Sequence, residues 1–380
     1  MAKKALFFAP TYYTSPYQGG GQHYARAFAK LGFKVLYISN PISPLHRFFS
    51  NKEHYHRRLE IHRKGGGIKD GVRYYVPHAL IVPHNKPILS SRWVADNWYR
   101  FSDVLKYIDD KGFSEVDLIW IDAGSPYWFV LDHVKHRHSV MRIPDYTLGF
   151  KSVPRVFLEK EREMGKKVDL VVMTSSLLKE KYAGIIDESK IIVVPNGLDV
   201  DKIRAMDTSF PPEFENIPEP RVIYVGYVRE WFDVPLIKYA AQSLPHVQFV
   251  IIGDVETDIS PLKGIPNVHF LGSKPHDRIG QFLSHSHVGI IPFRRTPLVE
   301  FVHPLKLYEY LAFGLPTVTT YWKEMENLKH LALVSKDAEQ FVRNVEQALK
   351  MGKVKVDVEQ FDWKQRAKTI LEKLHERSAH

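Results

Sequence analysis

Cysteine is absent from all 380 residues. That excludes disulfides, thiolate catalysis and cysteine-ligated metal, and it fits a cytosolic chain. No stretch approaches the roughly 18 consecutive apolar residues that cross a bilayer. The N-terminus carries neither the apolar core nor the cleavage site of a secretory signal. Acidic residues are scarce at one end. The first 100 residues hold 4 Asp/Glu against 16 Lys/Arg, and the first 200 hold 20 against 30, so the formal charge of +10 lies wholly in that half. Such asymmetry favours an anionic partner: lipid head groups, nucleic acid or nucleotide phosphates. Nucleic acid fits least, because no standard recognition signature accompanies the charge. A GxGxxG loop with an acidic residue closing the next strand is also missing, which disfavours a NAD-dependent oxidoreductase. There is no DxD motif in a suitable loop. Neither His133, His136 and His138 nor His285 and His287 form a closed, carboxylate-supported ligand set, so no metal is expected.

What is present points to an α/β protein of two domains. The length exceeds a single core, and 44% hydrophobic residues suffice to fill two. Ala5–Pro10 reads as a first parallel strand, Gln22–Leu31 as a helix and Lys34–Ile38 as a second strand, with Gly19, Gly20 and Gly21 in the loop between. That loop lies at the carboxyl end of its strand, where open α/β sheets bind ligands. Further apolar runs follow at 116–121, 139–143, 168–173 and 191–194. Proline and acidic residues at 204–220 mark a linker, and a second series of strands begins at Val222. The expected division is an N-terminal domain over 1–203, the linker, a C-terminal domain over 221–360, and a C-terminal helix over 361–380 that can cross back to the N-terminal domain.

Two stretches carry chemistry. Between 41 and 100 the α/β rhythm breaks, and Arg47, Phe48, Phe49, Arg57, Arg58, Arg63 and Lys64 interleave cations with aromatics, followed by Trp93, Trp98, Tyr99, Arg100 and Phe101. This pattern suits an anionic membrane surface; a solvated insertion is the alternative. The second stretch is His303–Pro316. Pro304 suits a helix start, Leu305, Tyr308, Leu311 and Ala312 form an expected buried face, and Gly314–Pro316 ends the helix. Lys306 and Glu309, three apart, share another face near the amino end, where a phosphate and sugar hydroxyls can be held.

The run Pro304–Pro316, the turn Val194–Asp199, the loop Val225–Asp233 and the glycines at 19–21 occur in the order found in GT-B glycosyltransferases. The chain resembles bacterial polysaccharide enzymes of the teichuronic-acid TuaH type and the xanthan glucuronosyltransferase type. The resemblance implies two Rossmann-like parallel-sheet domains facing across a cleft. It implies a nucleoside diphosphate sugar, UDP-linked in many relatives, on the C-terminal domain, and a lipid-linked or polysaccharide acceptor on the N-terminal one. Glu309 would touch the ribose, Lys306 the diphosphate, and Gly226 and Arg229 the phosphates or base, with no cofactor. Such enzymes often work peripherally at the inner face of the cell membrane. One departure is evident: the position eight before Glu309 is Phe301, where many retaining relatives have Glu. Glu300 is displaced by one and His303 lies closer, so retaining and inverting chemistry both stay open.

An inverting reaction needs a base for the acceptor hydroxyl. Asp145, in Met141–Asp145, resembles the base-bearing loop of xanthan-type relatives. His23 is a second candidate and Asp122 a third. A nucleotide-sugar epimerase of the same architecture and a non-enzymatic membrane- or polysaccharide-binding protein are the competing readings.

Overall fold

Short runs of β-branched and aromatic residues bounded by turn formers become strands buried on both faces, as a parallel sheet under helices requires. The computed structural model describes residues 2–15, 18–49, 52–86, 88–146, 153 and 155–378. The chain divides into two units, Met1–Pro195 with Trp363–His380, and Asn196–Asp362.

The first unit holds β1 (Lys4–Ala9), β2 (Lys34–Ser39), β3 (Gly67–Lys69), β4 (Val72–Tyr75), β5 (Glu115–Asp122), β6 (Lys135–Ile143), β7 (Leu170–Met173) and β8 (Ile191–Val193). They lie in the order β3-β4-β2-β1-β5-β6-β7-β8. Every pairing is parallel except β3 with β4. The stretch 41–100, expected as a membrane-facing patch or a solvated insertion that breaks the α/β rhythm, thus contributes β3 and β4 to the sheet. Asp70 and Gly71, both at positive φ (52° and 76°), join β3 to β4 as a two-residue turn of the Asp-Gly kind. The helix Trp363–Ser378 belongs to this unit, with the Trp363 ring 5.1 Å from His23 and 4.9 Å from Tyr24.

The second unit holds β9 (Arg221–Val225), β10 (Gln248–Ile252), β11 (Val268–Phe270), β12 (Val288–Ile291), β13 (Thr317–Thr320) and β14 (Leu333–Ser335). Their order is β11-β10-β9-β12-β13-β14, all parallel. In each sheet the first strand of the unit, β1 or β9, is flanked on one side by the next strand of the parallel series and on the other by a later one. The chain thus leaves in opposite directions there, and the connections part at the carboxyl ends to open a crevice. The residues that follow β1, β5, β9 and β12 border these two crevices.

Candidate active site

In the second unit the crevice lies between β9 and β12. Gly226, just past β9, has φ 148°, and a Cβ on Gly253 would come within 1.9 Å of the Gly226 carbonyl oxygen. Only glycine permits that approach of two backbones. The helix Leu305–Ala312 is pressed onto the same strands. The Tyr310 hydroxyl accepts from Val225 N at 2.9 Å, and its ring fills the space a side chain on Gly289 would need. Pro304 stands just before the helix as its cap rather than inside the first turn. The buried face also differs from the expected one. Leu307, Tyr310 and Leu311 meet the sheet, while Tyr308 packs with Leu198, Val200, Ile203, Met206 and Phe361; Leu305 and Ala312 are only partly covered. The helix is therefore clamped from two sides, which fixes its remaining face.

That face carries Lys306 and Glu309. Lys306 Nζ lies 4.9 Å from the centroid of Phe293 and 5.2 Å from that of Tyr224, beside Gly226, so it stands at the crevice. Among the described residues no hydrogen bond or ion pair reaches it. Burial lowers its pKa to about 8, with Glu309 opposing. Glu309 lies 3.6 Å from His276 Nε2. Burial pushes its carboxyl up, but the His276 contact, with Lys306 and Lys202, more than offsets this and holds it below the ordinary range.

The other expected donor contacts are engaged within the protein. Arg229 pairs with Glu256 at 2.7 Å and lies over the Tyr227 and Trp231 rings, at 4.4 and 5.7 Å. Glu300 binds Arg295 and accepts from Lys323 N at 2.6 Å. His303 is buried, with Nδ1 3.2 Å from Glu324 and Nε2 2.5 Å from the Tyr308 hydroxyl. Asn196 donates to the His303 carbonyl at 3.0 Å, so the turn 195–199 braces the start of the helix.

In the first unit the corresponding crevice lies between β1 and β5. Gly20 and Gly21 form the first turn of the helix Gly20–Lys30 instead of a loop, and Gly19 caps it. The Gln22 side chain bonds back to Gly19 N at 2.9 Å, closing the turn. A Cβ on Gly20 would lie 2.2 Å from the Arg142 guanidinium, and one on Gly21 2.4 Å from Asp122 Oδ2. These glycines thus make room for a buried pair of the protein itself, Arg142 and Asp122 at 3.6 Å, which Trp120 Nε1 completes by donating to Asp122 at 2.8 Å. Asp122 is spent in that pair. Asp145 follows β6 at the same edge, partly exposed, and burial raises its carboxyl above the ordinary range while Arg142 opposes. His23 stacks on Trp363 and contacts Arg26 at 3.4 Å. Among the described residues no group of three or more histidines or carboxylates is placed to hold a metal.

Residues 7–174 match the family described as glucuronosyltransferase GumK, N-terminal domain, and residues 219–351 the family described as glycosyl transferases group 1. The chain is 27% identical over 176 residues to "Putative teichuronic acid biosynthesis glycosyltransferase TuaH" of Bacillus subtilis. That match spans 44% of each chain, less than half the length of this relative. The chain has the GT-B fold, and each of its halves is similar to a glycosyltransferase family, the first of the GumK type. Solved structures agree at the level of fold. Anabaena HepE in complex with UDP-glucose has a TM-score of 0.63 at 14% identity, covering 98% of this chain and 99% of that one. The catalytic domain of Arabidopsis thaliana starch synthase IV, bound to ADP and acarbose, has a TM-score of 0.66 at 12% identity over the whole of both.

The structure also redraws the basic, aromatic stretch. Arg47, Arg57, Arg63 and Lys64 are exposed, although Arg57 is paired with Glu53 and Lys64 with Glu60. Arg58 is buried, donating to the carbonyls of Asn40 and Pro41, and leaves the surface patch. The side chains of Phe48 and Phe49 lie outside the described residues. Leu80, Ile88, Trp93 and Phe101 supply exposed apolar surface, with the Trp93 and Phe101 rings 6.3 Å apart. Sequence reasoning missed His276, Glu324 and Tyr310, whose partners lie 33, 21 and 85 positions away. No local pattern announces such contacts.

Proposed function

We propose that this glycosyltransferase moves a sugar from a nucleoside diphosphate sugar, with UDP as the carrier, to a lipid-linked or polysaccharide acceptor in cell-surface glycan biosynthesis. The observation that carries the reading is Lys306, an ammonium without a salt-bridge partner among the described residues, held at the β9–β12 crevice on a helix clamped from two sides. A diphosphate is the ligand such a site lacks, and Glu309 one turn on is placed for ribose hydroxyls. As the sugar–phosphate bond breaks, Lys306 and the amino end of the helix stabilise the leaving diphosphate. Asp145, at the carboxyl edge of the first unit's sheet with a raised carboxyl pKa, takes the acceptor proton if transfer inverts the anomeric centre. His23 serves acceptor placement. Arg229 acts near the phosphates by exchanging Glu256 for the ligand, whereas His303 and Glu300 shape the site through their protein partners. HepE, a structural relative, has been solved with UDP-glucose, which supports the choice of carrier.

For location, the reading is cytoplasmic and peripheral at the inner membrane face. Exposed Arg47, Arg57, Arg63 and Lys64 would meet anionic head groups, and Trp93 and Phe101 the interfacial zone. Among the described residues no helix is long and apolar enough to cross a membrane. The test is transfer of radiolabelled sugar from UDP-sugars to lipid-linked acceptors. Acceptor-dependent product that disappears in Lys306→Ala supports the reading. Product formed without acceptor would favour an epimerase, and absence of turnover with every nucleoside diphosphate sugar would favour a binding protein.

A further inference from the structure

The loop that follows β2 in the first unit is held by two basic side chains. From the helix Lys52–Arg63 the Arg58 guanidinium turns inward, and its Nη2 donates to the carbonyls of Asn40 and Pro41, the latter at 3.1 Å. Further along the loop, Ser43 N donates to His46 Nδ1 at 2.9 Å. A ring nitrogen that accepts from an amide carries no hydrogen, so the neutral imidazole bears its proton on Nε2. Burial, with Arg58, His84 and His54 nearby, brings the His46 pKa down to about 4 and keeps the ring neutral.

Two donors are left over. Among the described residues no hydrogen bond or ion pair takes up Arg58 Nη1 or His46 Nε2–H. Neither atom is closed off: of the Arg58 nitrogens only Nε is both buried and unpartnered, and no His46 atom is. The carboxylates on the same helix are spent, Glu53 on Arg57 and Glu60 on Lys64. The titratable groups that act on Arg58 are the phenols of Tyr127 and Tyr12. A guanidinium withdrawn from water among carbonyls and phenols is costly, and an oxyanion is the partner it lacks. The place is the acceptor crevice of the first unit, since Asn40 Nδ2 donates to the Gly124 carbonyl at 3.1 Å and so ties this loop to the one after β5.

We propose that Arg58 Nη1 and His46 Nε2–H form an oxyanion subsite that binds a phosphate or carboxylate group of the molecule receiving the sugar. This rests on the reading of the first unit as the acceptor's. Arg58 supplies the charge and His46 a neutral donor, so one anion is matched without a second buried cation. A sugar end bearing only hydroxyls would satisfy the donors and leave the charge unanswered. The shared chemistry is a delocalised oxyanion, whether from the phosphate of a lipid carrier or from a carboxylate on a saccharide.

The experiment is calorimetric titration of the full chain, saturated with UDP so that Lys306 is occupied, with inorganic phosphate and, separately, with glucuronate. Arg58 also braces the loop, so the discriminating variants are at His46. His46→Asn keeps an oxygen for Ser43 N and loses the Nε2–H donor, whereas His46→Gln keeps a donor near Nε2 and gives up the bond to Ser43. His46→Asn should weaken anion binding about ten- to a hundredfold, at unaltered UDP affinity and melting temperature, and raise the acceptor KM with little change in kcat. His46→Gln should bind the anion more tightly than His46→Asn, even at a lower melting temperature. Either preference supports the subsite: phosphate assigns it to a lipid carrier, glucuronate to an acidic saccharide. Binding of neither anion, or wild-type affinity in His46→Asn, would overturn the subsite and leave the acceptor reading standing. Affinity kept in His46→Asn and lost in His46→Gln would mark a loop brace and overturn it too. Anion binding with no sugar transfer to any acceptor by the unmutated chain would overturn the acceptor reading itself.

Discussion

Lys306 combines two properties that usually exclude one another: it is a cation, and its surroundings favour the neutral amine. Its ammonium faces two aromatic rings, and burial brings its pKa from the ordinary lysine range to about 8. The sign of the pH effect follows. A diphosphate binds the charged form better, so binding raises this pKa and takes up a proton near pH 8. UDP affinity should be constant well below pH 8 and fall as the pH rises through it, whereas Lys306→Arg should flatten that fall. Calorimetry in buffers of different ionisation enthalpy measures the proton uptake directly. The same lysine should cost stability in the empty protein. Lys306→Met, similar in length, should raise the melting point, by about 1 kcal/mol in stability, while UDP binding is lost. Asp145 is the residue proposed for proton transfer. Asp145→Asn should bind UDP normally and transfer about 10²–10⁴-fold more slowly; full activity in that variant would remove it as the base.

At the scale of elements, the helix Leu305–Ala312 can position the proposed donor only because its seating is fixed. A methyl on Gly289 would meet the Tyr310 ring at 2.3 Å. Gly289→Ala should therefore destabilise the protein by about 1–3 kcal/mol and weaken UDP binding through displacement of the helix, read by chemical denaturation and titration together. Much of this element was legible in the sequence, because apolar spacing, a leading proline and a closing Gly-Leu-Pro are local signals. Its buried face was not. Tyr310 and Leu307 turn inward because β9 and β12 lie there, and Tyr308 is covered by residues 198–206 and Phe361, contacts that spacing within one helix does not encode. The glycines at 19–21 show the same limit. Their place at a strand's carboxyl end signalled a ligand loop, but the groups that approach them are the protein's own Arg142 and Asp122, distant in sequence. The hairpin β3–β4 had a local signal in Asp70-Gly71 that the surrounding charge obscured.

For the whole molecule, one mostly parallel and one wholly parallel sheet follow from repeated short apolar runs, and the linker composition marks the change from one series to the next. The charge asymmetry of the sequence resolves more finely. Arg58 is internal, and burial lowers its pKa to about 10, so its removal should unfold the local backbone rather than alter surface binding. Reversal of Arg47 and Arg63 to Glu should reduce sedimentation with anionic liposomes several-fold at low salt, at roughly 1 kcal/mol per charge, with UDP affinity intact. Equal association in the variant would detach the patch from any membrane role.

The central claim is that the second unit holds a nucleoside diphosphate between the β9–β12 crevice and the helix Leu305–Ala312. A crystal structure of the protein soaked with UDP tests it most directly. The account predicts diphosphate density against Lys306 Nζ and Gly226, with ribose hydroxyls on Glu309. UDP ordered elsewhere, with Lys306 and Glu309 untouched, would contradict it.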